Sequence, residues 1–236
     1  CDSNGRDLRR VVRRFGGFLQ RQDWDKHLDK VDITDFDNLF AQEVKQNKLE
    51  QKISLPKEFV SLANFNLPRT AITAQRYLKS RGITERDIVR WKIGYCLEGE
   101  YAGRIIVPSF GEAGYPNYFV ARSYTKSGYR YKNPTASRDI VFNELYVDWD
   151  EDLVIVEGVF DAIVSGPNAV PILGSNLREN SKLFQEIVKH DTPVYIALDP
   201  DMEKKAMNLI NSLLAYGVEL YKVEISPYDD VGEMTK

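Results

Sequence analysis

The chain has few of the residues that build disulfide-linked or zinc-stabilised domains. It has two cysteines and two histidines in 236 residues, and Cys1, Cys96, His27 and His190 do not match a zinc-binding spacing. No apolar stretch approaches the ~18 residues needed to cross a bilayer, and no signal-peptide pattern opens the chain. These absences predict an ordinary globular protein without a membrane segment, and a reducing cytoplasm is the expected location.

Charge is unevenly distributed along the chain. Up to Val147 there are 25 Lys and Arg against 18 Asp and Glu, a net charge of +7; from Asp148 onward there are 7 against 17, a net charge of −10. A basic half suits a nucleic-acid backbone, whereas an acidic half repels one unless metal cations are bound there. The distribution therefore favours a nucleic-acid protein only if the acidic half holds metal.

The first 69 residues carry weak structural signals. Residues 1–20 have the pattern of a basic amphipathic helix, which either contacts nucleic acid or presents a solvated face. Residues 21–69 are polar and mixed in charge, as is typical of a linker or a loosely docked segment. Because the chain begins at Cys1 without Met and ends in GEMTK, we expect a fragment of a longer protein.

Residues 70–149 combine short helices with an antiparallel sheet. TAQRYLKSRG and TERDIVRWKIG are predicted helices, and the second begins with Thr84 as N-cap and Asp87 as capping-box acid. RIIVPSF, NYFVARSY and YRYKN are rich in β-forming residues and are separated by the turn formers GEAGYP and TKSG. The pattern predicts an α+β subdomain with an antiparallel meander.

Residues 150–236 alternate between apolar strands and amphipathic helices. The predicted strands are DLVIVEG, NAVPILG, PVYIALD and VELYKVEI, and each of the first three is followed by a predicted helix. Strands this apolar, separated by helices, indicate a mainly parallel four-stranded sheet that is covered on both faces. This half is therefore expected to be an α/β domain.

Carboxylates stand where these strands end. Glu157 closes the first strand and Asp199 the third, while Asp161 and Asp201 follow within a few residues; the fourth strand leads into the acidic stretch YDDVGE. Ligands of parallel sheets bind beyond the carboxyl ends of the strands, and clustered carboxylate oxygens suit Mg²⁺ or Mn²⁺. A metal site that also holds substrate phosphates is predicted at this edge.

The motifs EGVFD and DPD, each on its own βα unit, resemble the TOPRIM fold of bacterial-type primases, type IA and II topoisomerases and some nucleases. The region from QRYLKSRGIT to FNELY resembles the N-terminal subdomain of the DnaG-type primase polymerase core. The resemblance covers roughly residues 70–236. It implies an N-terminal subdomain over 70–149 and a TOPRIM metal-binding subdomain over 150–236, truncated at its C-terminus. Residues 1–20 would lead out of a missing upstream zinc domain, with Cys1 as its last Zn²⁺ ligand.

The resemblance also implies site residues. The implied metal ligands are carboxylates: Glu157, Asp161, Asp199, Asp201 and Asp230. Of these, Glu157, Asp199 and Asp201 are implied as catalytic, and Asp229 fits the last acidic motif as well as Asp230 does. The residues implied to contact nucleotide and template are Arg104, Arg122, Arg130, Tyr131, Lys132 and Asn133. From Tyr101 to Ile140 basic residues outnumber acidic ones six to two, with tyrosines interleaved, which suits a single strand.

The implied function is that of a DNA primase, which makes short RNA primers from NTPs on single-stranded DNA by two-metal-ion nucleotidyl transfer with Mg²⁺, or Mn²⁺ in its place. A replicative helicase, fused or separate, is an implied partner, and the implied location is the cytoplasm of a bacterial cell or of a phage host. Two alternatives stay open: a TOPRIM nuclease or topoisomerase that cleaves strands, and a non-catalytic TOPRIM module that binds DNA or a partner.

Overall fold

Two four-stranded sheets account for most of the regular structure. A computed structural model describes residues 51–125, 129–174, 178–199, 202–228, 231 and 234, which belong to one compact unit over Glu50–Lys236. Its elements are, in chain order, β1 (Val60–Ser61), α1 (Ala71–Ser80), α2 (Glu85–Arg90), β2 (Gly94–Cys96), β3 (Arg104–Phe110), β4 (Pro116–Ser123), a 3₁₀ turn (Glu144–Tyr146), β5 (Leu153–Val156), α3 (Val159–Ser165), β6 (Ala169–Pro171), α4 (Lys182–His190), β7 (Val194–Ala197), α5 (Glu203–Ala215) and β8 (Leu220–Lys222).

The first sheet is antiparallel, with strand order β1-β2-β3-β4. In it Ile105 lies opposite Arg122, and Ile106 lies opposite Ala121. Because side chains alternate between the two faces of a strand, residues opposite one another share a face. Ile105 belongs to the main core, whereas Ile106 and Ala121 belong to a smaller cluster with Cys96. The sheet therefore has a front face toward the main core and a back face toward the smaller cluster.

The predicted meander is confirmed for RIIVPSF and NYFVARSY, but YRYKN is not a strand. It makes a single bridge, between Tyr131 and Arg122, flanked by two backbone hydrogen bonds of 3.0 Å to β4. Pro134 follows directly and has no N–H to extend the pairing. The segment therefore lies along β4 only at its centre.

An edge strand is present where the sequence predicts a linker. Residues 60 and 61, within the predicted linker of 21–69, pair with β2, and Leu62 is buried behind them. A two-residue strand is too short to leave an alternating pattern in the sequence. The rest of the predicted linker up to residue 50, and the predicted basic helix of 1–20, lie outside the described residues.

The helix pair before β2 begins as predicted. The Thr84 hydroxyl accepts a hydrogen bond from Asp87 N at 3.3 Å, and Asp87 Oδ2 accepts one from Thr84 N at 2.9 Å. This reciprocal capping box satisfies backbone N–H groups that α2 would otherwise leave unpaired. It places Ile88 and Trp91 in the main core.

The second sheet is parallel throughout, with order β6-β5-β7-β8, as the alternation of strands and helices predicts. Helices α4 and α5 cover one face, where Phe184 and Leu213 are buried. The other face joins the main core, which contains both Ile105 of the first sheet and Val156 of the second. The two sheets thus share one apolar interior. None of the described helices has the length and apolar character to cross a membrane.

Candidate active site

The carboxyl ends of β5 and β7 meet at one edge of the parallel sheet. These strands are neighbours at its centre, and Val156 pairs with Ala197. Glu157 follows β5 directly and Asp199 lies two residues beyond β7, and both are half-buried. The structure therefore brings the two leading carboxylates to the same edge, which we call the acidic edge.

Asp161 braces the turn that carries Glu157. Its Oδ2 accepts a hydrogen bond of 3.1 Å from the N–H of Gly158, the N-cap residue of α3. A Cβ at Gly158 would lie only 2.8 Å from the same oxygen, so a larger residue there would displace the Asp161 carboxylate. One oxygen of Asp161 is thus committed to the backbone, which makes this side chain a structural support of the acidic edge.

The other predicted ligands, Asp201 and Asp230, and also Asp229, lie outside the described residues. Among the residues that are described, no group of three or more His, Cys, Asp or Glu could hold a metal ion. Glu157 forms no ion pair with a described residue. A half-buried carboxylate without a cation, beside a second carboxylate, is a donor set of hard oxygens that fits Mg²⁺ or Mn²⁺.

Arg122 lies against the helix that leaves the acidic edge. It is 6% exposed; its Nε donates to the Tyr77 hydroxyl, and its Nη1 donates to the Tyr131 hydroxyl. Its guanidinium carbon is 5.0 Å from the Tyr131 ring centroid and 5.2 Å from that of Phe160. Phe160 is on α3, three residues after Glu157. The structure therefore places a buried cation next to the start of α3.

Arg104 lies on the other face of the antiparallel sheet. It pairs with Ser123 and Cys96, one position away from the pair of Ile105 and Arg122, so its side chain belongs to the back face. There its Nη2 donates to the backbone oxygen of Tyr129 at 2.9 Å, and its buried Nη1 has no hydrogen bond within the described residues. Arg104 and Arg122 therefore do not line one groove.

The remaining basic and polar residues that the sequence predicts for the site differ in their contacts. Lys132 forms an ion pair of 3.2 Å with Glu100, whereas Arg130 is exposed. Asn133 Oδ1 accepts a hydrogen bond of 3.1 Å from Ala121 N, which ties its segment to β4. Tyr131, by contrast, contacts the Arg122 side chain through both its hydroxyl and its ring.

The interleaved tyrosines also differ in environment. Tyr118 is buried in the main core and Tyr124 packs against it, whereas Tyr129 is 86% exposed and Tyr115 is 51% exposed. Tyr118 lies on β4, where alternation turns its side chain toward the main core, whereas Tyr115 and Tyr129 lie outside the strands. Only the exposed ones are available to stack on bases.

An ion pair between a buried glutamate and a partly exposed lysine connects the segment after the antiparallel sheet to α4. Glu144 accepts a hydrogen bond of 2.6 Å from Lys182 Nζ, and Lys182 N donates to Asp139 Oδ1 at 2.8 Å. Burial raises the pKa of Glu144 above its ordinary value, and Lys182 opposes that shift. These bonds hold the segment before β5 against the parallel-sheet domain.

Comparison with known proteins finds similarity to DNA primases. No family model matches the chain. The DNA primase of Thermotoga maritima is 25% identical over 209 residues, an alignment that covers 68% of this chain and 37% of the relative. This chain therefore spans little more than a third of that primase.

Two solved structures show the same fold. The Aquifex aeolicus primase, a structure of its zinc-binding and RNA polymerase domains, has a TM-score of 0.59 at 22% identity and covers 71% of this chain and 52% of its own. A DnaG primase catalytic domain bound to single-stranded DNA has a TM-score of 0.61 at 19% identity, with coverages of 71% and 68%. The chain has the fold of the DnaG-type primase catalytic core and is related in sequence to a DNA primase.

Proposed function

We propose that this chain is the RNA-polymerase core of a DNA primase, which joins ribonucleotides on a single-stranded DNA template. The observation that supports this most directly is the placement of Glu157 and Asp199 at one sheet edge with the buried cation Arg122 beside α3. Carboxylates that hold divalent ions, next to a guanidinium that binds phosphate, are what a nucleoside triphosphate requires. The related protein is itself a DNA primase.

Glu157 and Asp199 are the proposed metal ligands, with Asp201 and Asp230 as predicted additions. Bound Mg²⁺ or Mn²⁺ would supply Lewis-acid stabilisation of phosphate charge and would acidify the attacking 3′-hydroxyl. Asp161 holds the turn that presents Glu157. Arg122 would donate to the triphosphate through Nη2, because its Nε and Nη1 are already bonded to tyrosines.

The other predicted contacts separate into binding and supporting roles. Tyr131 would pack beside the nucleotide with Arg122, while exposed Arg130 and the exposed ring of Tyr129 would contact the template. The supporting residues fix this segment from behind through the hydrogen bonds and the ion pair described above; they are Arg104, Lys132 and Asn133. Template binding is therefore assigned to a short, exposed part of the segment.

Further domains and partners extend the same proposal. The Aquifex aeolicus structure contains a zinc-binding domain beside its polymerase domain. We propose a corresponding upstream domain with Cys1 as a Zn²⁺ ligand, a replicative helicase as partner, fused or separate, and action in the cytoplasm of a bacterium or of a phage host. Metal analysis of the full-length gene product tests the first of these.

A synthesis assay separates the proposal from its rivals. The protein is incubated with single-stranded DNA, NTPs and Mg²⁺, and the products are resolved on a denaturing gel. Short RNA with a 5′-triphosphate supports a primase; a nicked template would instead identify a TOPRIM nuclease or topoisomerase.

A pair of variants tests whether the acidic edge performs the reaction. Glu157→Gln should abolish RNA synthesis, whereas Glu151→Gln, on an exposed residue before β5 and away from the acidic edge, should leave synthesis unchanged. If Glu157→Gln kept full biological output, the chain would be a non-catalytic binding module.

A further inference from the structure

We propose that Tyr77, which the sequence patterns did not single out, is a positioning residue. It fixes the guanidinium of Arg122 so that Nη2 stays available to a nucleotide phosphate. This inference rests on the proposed function, because it assigns to Tyr77 a role at the same site. Tyr77 acts through Arg122 and touches neither metal nor template in this assignment.

Tyr77 contacts both the cation and the helix that leaves the acidic edge. It lies on α1, half-buried, and its hydroxyl accepts a hydrogen bond from Arg122 Nε. Its ring meets that of Phe160 edge-on, with centroids 6.3 Å apart and planes at 82°. Such an arrangement of rings is favourable in itself. A single side chain thus connects α1, β4 and α3.

The partners of Arg122 fix its orientation without cancelling its charge. A buried charge is costly unless it is hydrogen-bonded, and most buried arginines pair with a carboxylate. Arg122 forms no ion pair with any described residue. The hydroxyls of Tyr77 and Tyr131 bind two of its nitrogens, and the ring centroids of Tyr131 and Phe160 lie 5.0 and 5.2 Å from its guanidinium carbon. The positive charge therefore remains for an anionic ligand.

A purely structural role for Tyr77 predicts a different result when its hydroxyl is removed. If Tyr77 only filled the core, phenylalanine would serve equally, because the ring contact with Phe160 would persist. If Tyr77 positions Arg122, loss of the hydroxyl leaves a buried Nε–H without an acceptor, and the guanidinium turns to find one. Hydrogen bonds to charged groups are worth enough to expect an effect of about tenfold on ligand affinity.

The test compares Tyr77→Phe with Tyr118→Phe. Tyr118 is buried in the same core and its hydroxyl has no hydrogen-bond partner within the described residues, so it is a matched control. In the RNA-synthesis assay, Tyr77→Phe should raise KM for NTP about tenfold, with kcat within about twofold of the unmodified protein. Tyr118→Phe should change neither. Unchanged KM in Tyr77→Phe would overturn the proposal.

A nucleotide-binding assay that does not require RNA synthesis tests the role of Tyr77 independently of the proposed function. A fluorescent ATP analogue with Mn²⁺ and no template should bind Tyr77→Phe about tenfold more weakly, while Mn²⁺ alone binds both proteins equally. Unmodified protein that binds the analogue but makes no RNA would refute the primase and leave the role of Tyr77 supported. Loss of Mn²⁺ affinity in Tyr77→Phe would show a general disturbance and refute that role.

A double variant tests whether Tyr77 acts through Arg122. Lysine lacks Nε, so Arg122→Lys removes the donor that Tyr77 accepts from. In that background, Tyr77→Phe should weaken analogue binding by less than about twofold, because residues that act through one contact are not additive. An undiminished tenfold effect in the Arg122→Lys background would contradict the proposal, and circular dichroism of all variants verifies that they are folded.

Discussion

Replacing Glu157 by Gln and Asp199 by Asn, singly and together, tests whether the two carboxylates hold one ion. Val156 and Ala197 are paired neighbours; Glu157 is one residue past Val156 and Asp199 is two residues past Ala197. With strands about 4.8 Å apart and a rise of about 3.3 Å per residue, their Cα atoms are about 6 Å apart. Two carboxylates at that spacing can both reach an ion with ligand distances of about 2.1 Å.

Each single replacement should weaken Mn²⁺ binding by at least about 10–100-fold, the range known for removal of mere outer-shell partners of metal sites. The double replacement should cost less than the product of the two, because the ion is already lost after the first; coupling free energies of about 0.5–3 kcal/mol are typical of groups in one network. The measurement is isothermal titration of Mn²⁺ into the four proteins, with Glu151→Gln as control.

Two results would refute the reasoning. If the effects of Glu157→Gln and Asp199→Asn multiplied fully, the carboxylates would not share an ion, and the placement at one edge would have no chemical meaning. If the unmodified protein bound neither Mn²⁺ nor Mg²⁺, the acidic edge would not be a metal site at all.

Three further predictions concern single residues. Burial raises the pKa of Glu144 in the folded state, so its contribution to stability is fully present below the unfolded pKa and is lost as the pH rises through the folded value. Urea unfolding should therefore show Glu144→Gln gaining stability relative to the unmodified protein as pH increases, and a pH-independent difference would contradict this. Burial, followed by the charge of Glu58, raises the pKa of the Cys96 thiol to about 11, so iodoacetamide at pH 8 should modify Cys96 only in denaturant; mass spectrometry that finds it alkylated in the folded protein would be the opposite result. Gly158→Ala should displace the Asp161 carboxylate and remove the cap of α3, at a cost of about 0.5–2 kcal/mol in urea unfolding, and an unchanged midpoint would argue against it.

Much of the fold could be predicted from local sequence patterns. Strands β5 and β7 are continuous apolar runs, α4 buries Leu183, Phe184 and Ile187 on one face, and Thr84 and Asp87 form a capping box, so each is visible in a short window of sequence. The parallel order follows because each strand is separated from the next by a helix. Acids that directly follow two such strands must then approach one edge.

The features that could not be predicted from the sequence depend on contacts between residues far apart in the chain. Whether Arg104 and Arg122 share a face depends on the register of β3 against β4, which places Arg104 opposite Ser123 and Arg122 opposite Ile105. A change of one residue in register would put the two arginines on the same face. Tyr77 was equally hidden, because its partner lies 45 positions away and nothing local distinguishes it from other tyrosines on amphipathic helices.

The two glycines near the acidic edge also show where local reasoning fails. A glycine after a strand can serve either a backbone conformation with positive φ or the close approach of a neighbouring group. Gly158 has an ordinary φ of −118° but meets the Asp161 carboxylate, whereas Gly174 has a φ of +68° and, among the described residues, nothing within 4 Å of a Cβ. A glycine in sequence does not reveal which of its two freedoms is used.

The interior that the two sheets share limits how this protein can be divided. Phe142 and Trp91 from the first half are buried in the same cluster as Val156 and Phe160 from the second. Cutting the chain near residue 147 would therefore expose the apolar surface of this shared core to water. Neither piece is therefore expected to fold by itself or to be transferable to another protein. Chimeras that exchange only residues 150–236 between relatives should misfold unless the first sheet and helices α1 and α2 are exchanged with them.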